Sequence, residues 1–152
     1  MTTYRFRFAP LLDYAEQRED EQAGVLAAAS RAEAAAFETL QMLVTERERQ
    51  IGLLETGGGL LSPDGRQLAI AYIEHLAAQA VAQQQTVVAL HEQTEVQRAA
   101  LMDLAREKQS LEHLRDRDAS IAAEAEGRRE ARQLDDLNMS RHIRRAGGRG
   151  SA

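Results

Sequence analysis

The side chains best suited to proton transfer or metal binding are four histidines, His75, His91, His113 and His142, scattered singly along a chain that has no cysteine. A tight zinc site needs several such ligands at short helical or loop spacing, and these positions provide none. Carboxylates are denser, at Glu19, Asp20 and Glu21 and at the pair Asp135 and Asp136. Acid–base work by such a pair requires an enclosed site that excludes water and shifts a pKa, so in long helical segments they read as solvated faces. The three glycines Gly57, Gly58 and Gly59 invite comparison with a phosphate-cradling loop. No Lys-Ser or Lys-Thr follows them, and the next element places Pro63 where a donor N–H would be needed. The chemistry-bearing residues therefore predict no catalytic residue, no metal site, no cofactor and no small-molecule substrate.

The elements that hold these side chains are legible in the composition. Hydrophobic residues make up 43% of the 152 positions, but 27 of them are alanine, and Leu, Ile, Val and Phe together number 32. A compact globule of this length would lack filling. Ala, Leu, Glu, Gln and Arg are strong helix formers, and with only two prolines such a chain builds long helices joined along narrow seams.

The two prolines, Pro10 and Pro63, stand where helices can start, because a first-turn residue needs no N–H partner. Ser62 is a suitable N-cap, and Asp64 places a carboxylate against the positive helix end. Helix one is expected over about 10–55, a turn over about 56–62, helix two over about 63–143, all within one α-hairpin of residues 1–145. Residues 146–152 are expected to be a disordered tail. Gly57 is read as a helix-ending residue in the left-handed backbone region.

Seam periodicity supports both helices. In the first, Phe37, Leu40, Val44, Arg47, Ile51 and Leu54 step by three and four. In the second, Ile73, Leu76, Ala80, Gln83, Val87, Leu90, Thr94, Gln97, Leu101, Leu104, Lys108 and Leu111 continue the alternation for more than five heptads, with Gln83, Thr94, Gln97 and Lys108 as its polar members. A stripe this narrow is that of a coiled coil. The fold class is all-α, an antiparallel two-helix coiled-coil hairpin whose second helix is longer than the first. With a bend near residue 59, facing positions sum to about 119. Helix one then runs out opposite about residue 107, leaving about 35 residues of helix two, roughly 50 Å, without a partner.

Charge is segregated. Residues 1–7 carry +2, residues 127–152 carry +4, and the segment between them carries −11. The C-terminal arginines Arg128, Arg129, Arg132, Arg141, Arg144 and Arg145 lack interleaved aromatics, which argues against nucleic acid. They suit either a solvated helix end or an acidic protein surface. No apolar run is long enough for a membrane span or a signal peptide, so a cytosolic protein is expected.

The opening Tyr4, Arg5, Phe6, Arg7, Phe8, Ala9, Pro10, Leu11 and Leu12 resembles the start of FliJ, the soluble flagellar export protein. Its size, Ala/Glu-rich first helix, mid-chain break and late Leu111–Arg117 segment are also similar. The resemblance implies a non-catalytic stalk of the flagellar type III export apparatus, at the cytoplasmic face of the inner membrane. Its implied partners are the hexameric export ATPase FliI, the export gate protein FlhA and export chaperones. It points to Phe6, Phe8 and the six C-terminal arginines as ATPase contacts, and to Tyr72 with Leu76 as gate contacts. Phe6 and Phe8 equally suit a cap on the open end of the hairpin. A general coiled-coil scaffold and the stalk of a virulence type III secretion system are the alternative readings.

Overall fold

In the computed structural model, which describes residues 4–147, two α-helices account for nearly every residue. Helix α1 is Ala9–Gly57 (49 residues) and helix α2 is Pro63–Gly147 (85 residues); a single 3-10 turn, Gly58–Leu60, lies between them. The fold is all-α, an antiparallel helix pair with the second helix the longer. Ala146 and Gly147, expected in a disordered tail, close α2, and the rest of that tail lies outside the described residues.

Ser62 caps α2 as its side chain suggests. Its Oγ accepts from the Gly65 N–H at 3.1 Å, and its carbonyl accepts from the Arg66 N–H at 2.9 Å. Pro63 is the first helical residue and Asp64 lies in the first turn. The glycines work differently from the expectation. Gly57 has φ −116° and ψ −1°, and among the described residues no glycine has positive φ. The reversal is made by 3-10 backbone, in which Gly58 packs against Leu54 at ordinary contact distance. It is buried, and a Cβ there would stand 3.6 Å from Leu54 Cδ1.

Contacts group the chain into two units, Gln17–Ala105 and the remainder, in which residues up to Glu16 associate with those from Arg106 onward. In Gln17–Ala105 the seam on α2 follows the sequence pattern. Every predicted position from Ile73 to Leu104 is buried or half-buried, with Leu76 and Thr94 the most enclosed. Its polar members are all satisfied. Gln83 Nε2 donates to the Ala36 carbonyl at 2.9 Å, Gln97 Oε1 accepts from Gln22 Nε2 at 2.8 Å, and the Thr94 hydroxyl donates to the Leu90 carbonyl at 3.0 Å. The two cross-helix pairs share the sum of 119 that the bend requires.

The seam on α1 departs from the expectation at Phe37, Val44 and Arg47, while Leu40, Ile51 and Leu54 are half-buried as expected. Phe37 and Val44 are 49% and 39% exposed and Arg47 is exposed, whereas Ala36 is 8% exposed and Leu40, Leu43 and Gln50 are half-buried. The stripe continues from Gln22 through Leu26, Ala29 and Glu33 to Ala36 in alternating steps of four and three. At Phe37 and Val44, reading the larger apolar side chain as the seam shifts it by one residue from Ala36 and Leu43. Here alanine faces the partner helix, because a small side chain lets Gln83 reach the backbone carbonyl behind it.

In the other unit the chain before α1 extends coverage of α2. The Phe8 carbonyl accepts from both the Leu11 and Leu12 N–H groups at 3.0 Å, and the Phe6 carbonyl accepts from Ala9 at 3.3 Å. Phe6 and Leu12 are buried, and the Tyr4 hydroxyl meets the Arg115 carbonyl at 3.5 Å, again at a sum of 119. Half-buried positions on α2 therefore persist to Glu126, and full exposure starts at Gly127. The uncovered segment is the 21 residues 127–147 and not about 35, because residues 4–8 lengthen the cover that α1 alone would give.

Candidate interaction surfaces

Three surfaces carry the residues singled out in the sequence. The first is built by residues 4–8. Phe6 is 8% exposed and packs edge-on to Phe8, with ring centroids 5.9 Å apart and planes at 73°. The Arg7 guanidinium lies 5.2 Å from the centre of the Phe8 ring, within range of a cation–π contact. Phe6 is thus a capping side chain in this structure, and Phe8 is half-buried beside it. Tyr4, missed in the sequence reading, adds the bond to Arg115 and lines an open groove of about 370 Å³ with Ala119, Ala122, Ala123 and Ala125. Partial burial, with Asp118 nearby, pushes its phenol pKa up.

The second surface is the C-terminal part of α2, where every residue from Gly127 to Gly147 is exposed. Arg128 approaches Glu124 at 3.7 Å and Arg129 approaches Glu126 at 3.6 Å, each within one helical turn. Among the described residues Arg132, Arg141, Arg144 and Arg145 form no ion pair. Arg144 and Arg145 occupy the last turn, where cations oppose the negative end of the helix dipole. Leu134, Leu137, Met139 and Ile143 are 57–66% exposed on the same segment.

The third surface is near the 3-10 turn. Tyr72 is 44% exposed and can meet a partner, but Leu76 is 4% exposed and fills the seam. The two residues, proposed together from sequence, are separated by function: Leu76 holds the helices together, and a partner would contact Tyr72 without it. The three-and-four step that placed Leu76 on the seam was the available signal.

Among the described residues no group of three or more His, Asp or Glu side chains is placed to hold a metal ion. His91 bonds through Nδ1 to Glu33 Oε1 at 2.8 Å across the helices. That hydrogen bond is the chief cause that lowers the Glu33 carboxyl pKa. The pair is open to water, with the His91 side chain 58% exposed. No helix among the described residues is long and apolar enough to cross a membrane.

No curated protein and no solved structure matches the chain. A family model does. The model described as "Flagellar FliJ protein" matches residues 4–147, which is nearly the whole chain and the same stretch that the helix pair and its N-terminal cover occupy. The chain therefore belongs to the flagellar FliJ family, a family of flagellar protein export.

Proposed function

We propose that this protein is a non-enzymatic stalk of the flagellar type III export apparatus, which binds the hexameric export ATPase FliI, promotes its ring assembly and activity, and links it to the export gate FlhA and to export chaperones. It works peripherally at the cytoplasmic face of the inner membrane, held there by its partners. The observation that carries this reading is the family match over 4–147 together with the exposed end of α2. Among the described residues nothing covers 127–147, and Arg132, Arg141, Arg144 and Arg145 there have no intramolecular partner, so their charge is available to an acidic surface. Burial of Phe6 supports a supporting role for that ring, with Phe8 and the arginines as the contacts a ring could reach.

ATPase turnover of the matching FliI, measured with and without this chain, tests the proposal. Stimulation by the unmodified chain, reduced when Arg141, Arg144 and Arg145 are changed to Glu, is the expected result. Equal rates with and without the unmodified chain would sink the stalk reading and favour a scaffold with no ATPase partner. Turnover by the purified chain alone would contradict its non-enzymatic character.

A further inference from the structure

The exposed end of α2 carries a second pattern besides its arginines. Glu130, Leu134, Leu137 and Arg141 follow one another in steps of four, three and four, so they share one helix face; Gly127 and Arg144 extend it by three residues at either end. All six are exposed, Leu134 and Leu137 by 60% and 57%. Glu130 and Arg141 form no ion pair among the described residues. The face reads acidic, apolar, apolar, basic from its N-terminal to its C-terminal end.

From this order we infer that the face pairs with the same face of a second copy of the chain, antiparallel. In that arrangement Leu134 of one copy meets Leu137 of the other, both leucine pairs lie together at the centre, and Glu130 meets Arg141 on each side. Glu126 then stands opposite Arg145. A parallel pair would instead oppose Glu130 to Glu130 and Arg141 to Arg141, which like charges disfavour, so the charge order selects both the partner and the direction. The paired segment from Gly127 to Arg144 is only about 26 Å long. With two leucines per copy at its centre, the association is weak and depends on concentration and salt.

Sedimentation velocity of the full chain tests this. The sedimentation coefficient should rise with protein concentration between about 10 µM and about 1 mM at low ionic strength, as mass action requires for a weak dimer, and less so in high salt. Leu134→Asp with Leu137→Asp should abolish the rise while leaving helix content unchanged, since both sites are exposed. Glu130→Arg and Arg141→Glu should each weaken association, and the two together in one chain should restore it, because each salt pair is re-formed with its charges exchanged. The inference is overturned by a chain that stays monomeric throughout that range, by association that persists in the double leucine variant, or by a charge swap that fails to restore what either single change removes. Because the readout involves no ATPase, its failure is distinguishable from failure of the stalk reading.

Discussion

Gln22 and Gln97 clasp each other across α1 and α2, with the Gln22 amide donating to the Gln97 side-chain oxygen at 2.8 Å and to its backbone carbonyl at 3.1 Å. Polar residues in a coiled-coil seam contribute less to stability than leucine would, but they hold only one alignment. Gln83 to the Ala36 carbonyl repeats the device 14 residues away on each helix. Replacing Gln97 or Gln22 with Ala should each cost about 0.5–1.5 kcal/mol, the ordinary net worth of such a bond. Replacing both should cost less than the sum of the two. Urea unfolding followed by circular dichroism at 222 nm measures the shortfall; fully additive losses would show that the pair is not coupled.

Ala36 and Phe37 offer a direct check of the seam on α1. Ala36 is 8% exposed and Phe37 is 49% exposed. Ala36→Leu should destabilise by about 1–3 kcal/mol through overpacking, and Phe37→Ala should change stability by no more than about 0.5 kcal/mol. The opposite ranking in thermal melts would mean that Phe37 faces α2.

Acid should loosen the helices through two carboxylates. The Arg49 guanidinium, 2.9 Å from Glu46, and then the Gln50 amide hold the Glu46 pKa at about 2, below its ordinary 4.5. The Glu33 pKa is lowered chiefly by its hydrogen bond with His91. A carboxylate whose folded pKa is depressed contributes stability that is fully present above the unfolded value and is lost as pH falls through the folded one. For Glu46 the contribution should therefore be complete above pH 4.5 and decline toward pH 2. Both groups meet solvent, so the effect is small. Glu46→Gln should flatten part of the slope of unfolding free energy against pH below 4.5, and an unchanged slope would contradict the assignment.

Phe6 should matter to the start of α1 more than to the whole fold. Phe6→Ala should remove hydrogen-exchange protection around residues 9–15 and along α2 near Arg115, because a terminal cover opens locally before the rest unfolds. Tyr4→Phe should have little effect, since its bond to the Arg115 carbonyl is long at 3.5 Å. Protection in the Phe6→Ala variant equal to that of the unmodified chain would remove the capping role.

The helices, their caps and their antiparallel direction follow from local chemistry. Proline and Ser62 mark starts, scarcity of proline permits length, and a turn of a few residues leaves reversal as the simplest path. The α2 seam was readable because Ile73, Leu76, Val87, Leu90, Leu101 and Leu104 are large and keep one period. On α1 the same rule placed Leu40, Ile51 and Leu54 but failed beside the alanines, where size pointed to Phe37 and Val44. Which residues face inward there is decided by pairwise fit, in which Ala36 leaves room for Gln83 to reach the backbone.

The sequence by itself determined an all-helical chain, its 119 register and its charged, uncovered C-terminal end, because these depend on period, propensity and the place of the bend. Only the tertiary structure decided that Ala36 and not Phe37 faces the partner helix, that His91 bonds Glu33, and that residues 4–8 shorten the uncovered part of α2 to 127–147. Each of these depends on side chains far apart in sequence meeting at a distance of a few ångströms, which no local pattern records.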